Sequence, residues 1–244
     1  MLAMSRRCVP YTPRARELRD TVFALVTTAG VHRRAEVPFD LTGDNTWRII
    51  GGDVAAADLM VTHGHYDHQH ADRDINCVFP IDRLRELAAA GVIGGVAEKH
   101  LGMMGYTQRL RDLYERAAPE MAAVIERSRA EGVMLTAGCP LCHRTVVAIQ
   151  REIEMRGIPT VLITLVPRAS REMGPPRAIH PVGFTLGDPL GLPDQLDLQH
   201  QVLRDALRRW EAREEPGTLW EIEYPEYQPD PAILHGGEII GGET

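Results

Sequence analysis

The chain has 244 residues, 44% hydrophobic and 25% charged, which is the composition of a folded globular protein and excludes global disorder. Its formal net charge of −7 gives no support to a duplex nucleic acid or an anionic membrane surface as partner. No stretch approaches the roughly 20 apolar residues that cross a bilayer. The Arg6-Arg7 pair is followed by Cys8-Val-Pro-Tyr-Thr-Pro13 and by no apolar core of a leader. A cytoplasmic location is therefore expected, and the four cysteines read as thiols, catalytic groups or ligands rather than as a disulfide framework.

Residues 1–20 are polar and Arg-rich and read as a lead-in segment. Thr21 to Gly30 is an apolar run ending in small residues, the pattern of a buried strand that delivers a loop. Short strands are expected at Thr46–Ile50 and at Asp58–His63, the latter running into a histidine-rich loop. Asp82–Ala90 has Leu84, Leu87 and Ala88 at helical spacing. Val92–Val96 is short and glycine-rich. Between Thr107 and Glu131 apolar residues recur every three or four positions, with Pro119 as a break, so two helices or one kinked helix are expected.

The second half contains a clear strand–helix–strand unit. Gly132–Gly138 is a strand, a helix runs to Arg156 with Val146, Ile149 and Ile153 on one face, and Thr160–Leu165 is a β-branched strand. One more strand is expected at Ala178–Thr185 and an amphipathic helix at Leu196–Trp210. Alternating strands and helices predict an α/β fold, a largely parallel sheet with helices on both faces, doubly wound and Rossmann- or flavodoxin-like. The expected organisation is a lead-in over 1–20, an α/β catalytic domain over 21–213, which divides naturally near residues 106 and 107, and a Glu-, Pro- and Gly-rich tail over 214–244. The tail reads as wrapping a surface or a partner. Loops 28–34, 62–76 and 137–143 are expected at the carboxyl edge of the sheet, where ligands of such folds bind.

Two of these loops carry reactive groups. Cys139 follows a strand and Cys142 opens a helix, so first-turn amides and the helix dipole favour a thiolate there. The spacing lets the second thiol resolve a covalent adduct on the first. Other readings of the pair are buried structural thiols, a zinc site completed by a distant histidine, a thioredoxin-like motif, or, with His143, a covalent haem attachment sequence. The other loop, Thr62-His-Gly-His-Tyr-Asp-His68, resembles the zinc-binding HxHxDH signature of metallo-β-lactamase-fold hydrolases, a resemblance that implies His63 and His65 on one metal and Asp67 and His68 on the other. It lacks the flanking glycines of such sites, and the second half of the chain is βαβ where later ligands would be needed. Plain hydrogen bonding by a polar loop is the bland reading of the same residues.

The order of segments adds a resemblance. Leu25-Val-Thr-Thr-Ala-Gly-Val-His32, Pro38-Phe-Asp40, Trp47-Arg-Ile-Ile-Gly-Gly-Asp53, the His63–His68 loop and Ala71-Asp-Arg-Asp-Ile-Asn76 come first. Cys77-Val-Phe-Pro-Ile-Asp82-Arg-Leu-Arg-Glu-Leu87, Gly91-Val-Ile-Gly-Gly95, Gly138-Cys-Pro-Leu-Cys-His-Arg-Thr145, Arg156-Gly-Ile-Pro-Thr160 and Gly187-Asp-Pro-Leu-Gly191 follow. Together they resemble the glycine/sarcosine/betaine reductase selenoprotein B and D-proline reductase family. The resemblance implies an α/β oxidoreductase that cleaves a C–N bond of a small amino-acid-like substrate. It also implies a companion subunit carrying a pyruvoyl group, an oligomeric complex and an external dithiol or thioredoxin-like reductant, with no intrinsic cofactor and no favoured metal.

On the same resemblance the family's selenocysteine corresponds to Cys139, the nucleophile, with Cys142 as resolving thiol. This chain is thus a cysteine-containing member, and its thiol needs more activation than a selenol. The His63–His68 stretch corresponds to a substrate-facing loop. His63, His65, Asp67 and His68 are expected to orient substrate or supply protons, with His32, Asp74 and Asn76 as further substrate-binding candidates. Asp72, Arg144 and His143 are weaker ones. A metal-dependent hydrolase built on the histidine loop, and a non-catalytic subunit of a reductase complex, are the competing functions.

Overall fold

The computed structural model describes residues 8–229. The Arg6-Arg7 pair, with the rest of residues 1–7 of the lead-in, and residues 230–244 of the tail lie outside the described residues. The strands are β1 (Val22–Thr27), β2 (Val31–Arg33), β3 (Trp47–Gly51), β4 (Leu59–Val61), β5 (Gly95–Val96), β6 (Lys99–Met103), β7 (Gly132–Thr136), β8 (Thr160–Ile163), β9 (Ala178–Val182) and β10 (Leu219–Glu223). The helices are α1 (Gln69–Arg73), α2 (Ile81–Ala89), α3 (Leu110–Asp112), α4 (Ala118–Arg127), α5 (Cys142–Met155), α6 (Pro167–Met173) and α7 (Leu196–Glu211).

The main sheet has the order β10-β9-β8-β7-β1-β6-β3, with β5 also paired to β1. All pairings are parallel except that of β3 with β6 at one edge. The parallel strands β6-β1-β7-β8-β9 thus follow the flavodoxin-like order, which reverses between β1 and β7. The expected α/β class, with a largely parallel doubly wound sheet, is what the chain forms.

Helices on both faces explain why the central strands are apolar throughout. In β1, Phe23 and Leu25 enter one core and Ala24 and Val26 the other. The first core takes Ile81, Leu84 and Leu87 of α2 and Val202, Leu203, Ala206 and Trp210 of α7. The second takes Met121, Ala122 and Ile125 of α4 and the predicted Val146, Ile149 and Ile153 stripe of α5.

Several elements depart from the expectation. The break at Pro119 is neither a gap nor a simple kink: Leu113–Ala117 forms a π-helical turn that joins α3 to α4. Proline has no N–H and its ring collides with the carbonyl four residues back, and the widened turn accommodates both. β6 and β10 were not anticipated, nor was α6, and β10 extends the sheet from within the segment read as tail. The strand at Asp58–His63 exists as β4, but it pairs antiparallel with β2 in a separate two-stranded ribbon. The histidine loop therefore does not leave the carboxyl edge of the main sheet directly; the ribbon carries it there. No helix among the described residues is long and apolar enough to cross a membrane.

Candidate functional site

The site forms where β1 and β7 end side by side, at the reversal of strand order. Thr28 N–H donates to the Thr136 carbonyl at 3.1 Å, tying the two strand ends together. The Thr28 hydroxyl donates to the Cys142 carbonyl at 3.3 Å. Beyond β7 the chain turns through Gly138–Leu141 into α5. Cys139 and Cys142 are joined as a disulfide there, with Cα atoms 5.1 Å apart, and both are fully buried. The Cys142 N–H, in the first turn of α5, donates to Cys139 Sγ at 3.1 Å. His143 braces the turn: its Nδ1–H donates to the Cys139 carbonyl at 2.7 Å, and its Nε2 accepts the Leu165 N–H at 2.9 Å. Both ring nitrogens are used, and burial pushes its pKa down to about 4, so it is a neutral strut.

The β2–β4 ribbon delivers the second half of the site. Gly30 sits at φ 86°, and a side chain there would collide with the Thr62 carbonyl, so glycine lets the start of β2 and the end of β4 close on each other. His32 is buried within the ribbon. It donates from Nδ1 to the Arg33 carbonyl at 2.8 Å, and Nε2 accepts from the Thr62 hydroxyl at 2.7 Å, so its hydrogen-bonding capacity is spent on the scaffold.

One residue further on, His63 turns inward. Its Nε2 lies 3.0 Å from Cys142 Sγ. Its Nδ1 accepts the His65 N–H at 3.1 Å, which assigns the ring proton to Nε2 and makes His63 a donor toward the sulfur. Burial, reinforced by the His65 and His68 charges, pushes the His63 pKa down to about 3. At neutral pH the ring is uncharged, and it serves as a hydrogen-bond donor to the sulfur.

The rest of the loop diverges. His65 is exposed and stacks on Tyr106 with ring centroids 4.0 Å apart. Asp67 accepts the Gln69 backbone N–H and side-chain amide, both at 3.0 Å. His68 pairs with Asp72 at 2.7 Å near the surface. The two-metal arrangement that the competing hydrolase reading needs of His63, His65, Asp67 and His68 is therefore not formed: these side chains point to different partners. Among the described residues, the histidine, cysteine and carboxylate groups close enough to share an ion are His63, Cys139 and Cys142, whose ligand atoms lie within 4.8 Å of one another.

Asp74 and Asn76 belong to the helix connections. Asp74 accepts the Asn76 N–H at 3.0 Å and the Gln199 side-chain amide at 2.9 Å, and the Asn76 oxygen accepts the Asp82 N–H at 3.0 Å. Burial opposes ionisation of Asp74, but the Gln199 and Asn76 hydrogen bonds outweigh it and hold the carboxyl below its usual range. Arg144 is exposed and pairs with Glu172 at 2.8 Å. Cys77 is a buried free thiol whose pKa burial drives upward, and Cys8 is exposed and free.

Two contributors were not nominated from sequence. Tyr66 donates its hydroxyl to the Ala29 carbonyl at 2.8 Å and lays its ring over Gly138, 4.9 Å from the His63 ring. Its ring packs against the core that includes Cys139 and Cys142. Gly105 is the other: an added Cβ would stand 3.0 Å from Cys142 Sγ, so its lack of a side chain makes room for the sulfur. A buried pair, His70 with Asp188 at 2.8 Å, ties the histidine loop to the Gly187-Asp188 turn.

The family model for glycine/sarcosine/betaine reductase selenoprotein B matches residues 2–138. D-proline reductase subunit gamma of Acetoanaerobium sticklandii is 41% identical over 199 residues, 82% of either chain. The chain belongs to this family. Glycine reductase complex component B subunit gamma of Carboxydothermus hydrogenoformans is 28% identical over 87% of this chain. Sarcosine reductase complex component B subunit beta of Peptoclostridium acidaminophilum is 27% identical over a similar share. The chain spans about half the length of these last two, 51% and 50%, but most of the D-proline reductase subunit. No solved structure matches the chain. The family resemblance read from the ordered segments is thus shown. The family match ends at Gly138, one residue before the cysteine pair, so roles at Cys139 and Cys142 rest on the site itself.

Proposed function

We propose that this chain is the thiol-active subunit of a reductase complex that cleaves a C–N bond in a small amino-acid-like substrate. The observation that carries the reading is the Cys139–Cys142 pair at the strand-order reversal, with His63 Nε2–H directed at Cys142 Sγ from 3.0 Å. A buried vicinal-turn pair with a donor on each sulfur is suited to exchange between dithiol and disulfide. The disulfide is the state such an enzyme reaches after turnover.

In the reduced pair, the Cys139 thiolate attacks the substrate α-carbon. The C–N bond breaks, its electrons leave with nitrogen, and nitrogen takes a proton. The Cys142 thiolate then attacks Cys139 sulfur, the S–C electrons return to carbon, and carbon takes a proton. Two thiols become one disulfide and the substrate gains two electrons and two protons. An external dithiol of the thioredoxin type, available in cytoplasm, restores the thiols. The Cys142 N–H at the helix terminus steadies the Cys139 thiolate. His63 steadies Cys142 sulfur without carrying charge. A companion subunit of the pyruvoyl type would bind and prepare the substrate amine in the assembled complex. Of the loop residues, His65 and Asp67 are exposed and His68 is half-buried, and these three are the ones assigned to the substrate side.

A second reading reverses the thiols. His63 donates to Cys142 and not to Cys139, and Cys142 lies inside the first helical turn, so Cys142 has both a side-chain donor and the dipole. Activity of Cys139→Ser and Cys142→Ser in the assembled complex, with substrate adducts mapped by mass spectrometry, separates the two. A carbon adduct trapped on Cys139 in Cys142→Ser supports the first order, and an adduct on Cys142 in Cys139→Ser the second. Full turnover by both variants overturns the thiol mechanism.

A further inference from the structure

We propose that the reduced site also binds a thiophilic divalent cation of the Zn2+ type through Cys139 Sγ, Cys142 Sγ and His63 Nε2. The sequence left open a zinc site made of the two cysteines and a distant histidine, and the fold brings His63, 79 positions from Cys142, to that place. All three residues are buried and their ligand atoms lie within 4.8 Å of one another. Tetrahedral zinc with Zn–S of about 2.3 Å and Zn–N of about 2.0 Å needs donor separations of about 3.5–3.8 Å. His63 Nε2 and Cys142 Sγ at 3.0 Å need only open slightly. Two cysteines separated by two residues, one before a helix and one in its first turn, are the usual spacing for two ligands of one zinc ion. Two cysteines and a histidine leave the fourth position to water.

The site exists only in the reduced chain, because disulfide sulfurs carry no charge to offer a cation. Binding releases the two thiol protons. The His63 proton moves from Nε2 to Nδ1, and the His65 N–H that Nδ1 now accepts turns to solvent from an exposed bend. Occupied by zinc, the thiolates are held reduced and shielded from exchange. The inference rests on donor geometry and not on the reductase reading: a chain that binds zinc but lacks reductase activity would separate the two.

The test uses the full chain, reduced with a phosphine and freed of reductant, titrated with Co2+ and then Zn2+. The expected result is a near-ultraviolet thiolate-to-cobalt absorption that saturates at about one ion per chain and is erased by Zn2+. Zn2+ should also slow alkylation of Cys139 and Cys142 by at least ~tenfold, while Cys8 keeps its rate; this readout needs no variant. His63→Gln should weaken Co2+ binding by at least ~tenfold, on the scale by which lost metal-site partners reduce affinity. Absence of the absorption in the reduced chain, equal binding by the oxidised or fully alkylated chain, or unchanged alkylation with Zn2+ overturns the proposal.

Discussion

Acidification from about pH 7 to about pH 5 is expected to cost the oxidised protein about 6 kcal/mol. The source is three histidines folded as neutral rings. Burial holds His63 and His100 down to about 3 and His143 to about 4. In the unfolded chain each ring takes a proton near pH ~6.5. Below that value the unfolded chain binds protons that the folded chain excludes. The stability is therefore complete above pH ~6.5 and is lost as pH falls toward the folded values. Each unit costs about 1.4 kcal/mol per ring, so about 1.5 units over three rings gives about 6 kcal/mol, a large part of the 5–15 kcal/mol roughly typical of a domain. The window excludes the carboxylates: Asp112, held down to about 2 first by its Arg116 hydrogen bond, is ionised in both states at pH ~5. Burial raises the Glu154 carboxyl against donors that include Arg177, so this group opposes the trend by at most one proton. Urea unfolding followed by tryptophan fluorescence at about pH 7, 6 and 5 measures the slope, which should approach about 4 kcal/mol per unit. His143→Gln should lower proton uptake on unfolding by about one. A difference between pH 7 and pH 5 of less than about 1 kcal/mol would refute the reasoning.

Three further outcomes follow from contacts at the site and its support. Gly105→Ala puts a Cβ 2.7 Å from Thr28 Cβ and 2.9 Å from Cys142 Cβ, so thermal melting should show a loss of about 1–3 kcal/mol; unchanged melting would contradict the packing. Arg177→Met leaves the Glu154 carboxylate buried and unpaired across a 2.7 Å contact and should cost about 3–5 kcal/mol in urea, with most of it regained in Arg177→Met/Glu154→Gln. Tyr66→Ala should raise the alkylation rate of the reduced Cys139–Cys142 pair severalfold, whereas Tyr66→Phe, which loses only the bond to the Ala29 carbonyl, should leave it near wild type. Equal rates for Tyr66→Ala and wild type would show that the ring does not guard the sulfurs.

The elements legible in the sequence are those whose side chains meet a core on every residue or every third or fourth one. β1, β7, β8 and α5 announce themselves in this way. β6 does not, because His100 and Gly102 look wrong for a strand. Yet His100 Nδ1 accepts the Leu25 N–H at 2.8 Å inside the sheet, and Gly102 has no side chain because the Val31 carbonyl occupies that space. β10 hid in a Glu-rich segment because an edge strand needs only alternation, here Trp220 and Ile222 on one face against Glu221 and Glu223 on the other. At the site, the cysteine pair was readable because strand, turn and helix are contiguous. The direction of each histidine was not, since residues in a tight bend diverge by one position. Tyr66 and Gly105 were invisible for a different reason: they act on Gly138 and Cys142 across gaps in the chain that spacing does not encode.

The ribbon explains how one histidine of a metal-like motif comes to serve a sulfur. Had β4 joined the main sheet, its loop would open outward at the carboxyl edge, with His63 and His65 free to converge on an ion. Instead β2 and β4 fold back beside β6, whose Gly102 makes room for the Val31 carbonyl, while Gly30 lets the Thr62 carbonyl approach and His32 locks the ribbon through Thr62. That fold-back drives the first histidine down onto Cys142 and leaves the next residues at the rim. The His65 amide then fixes the His63 tautomer, so the bend that exposes His65 is the same bend that aims Nε2–H at the sulfur. A neutral donor in a dry site favours thiolate over thiol at Cys142 without a permanent cation that a buried disulfide would leave unpaired. On the function proposed above, the pair would alternate between charged and uncharged forms while His63 stays neutral, which is the electrostatic condition for a buried dithiol to cycle.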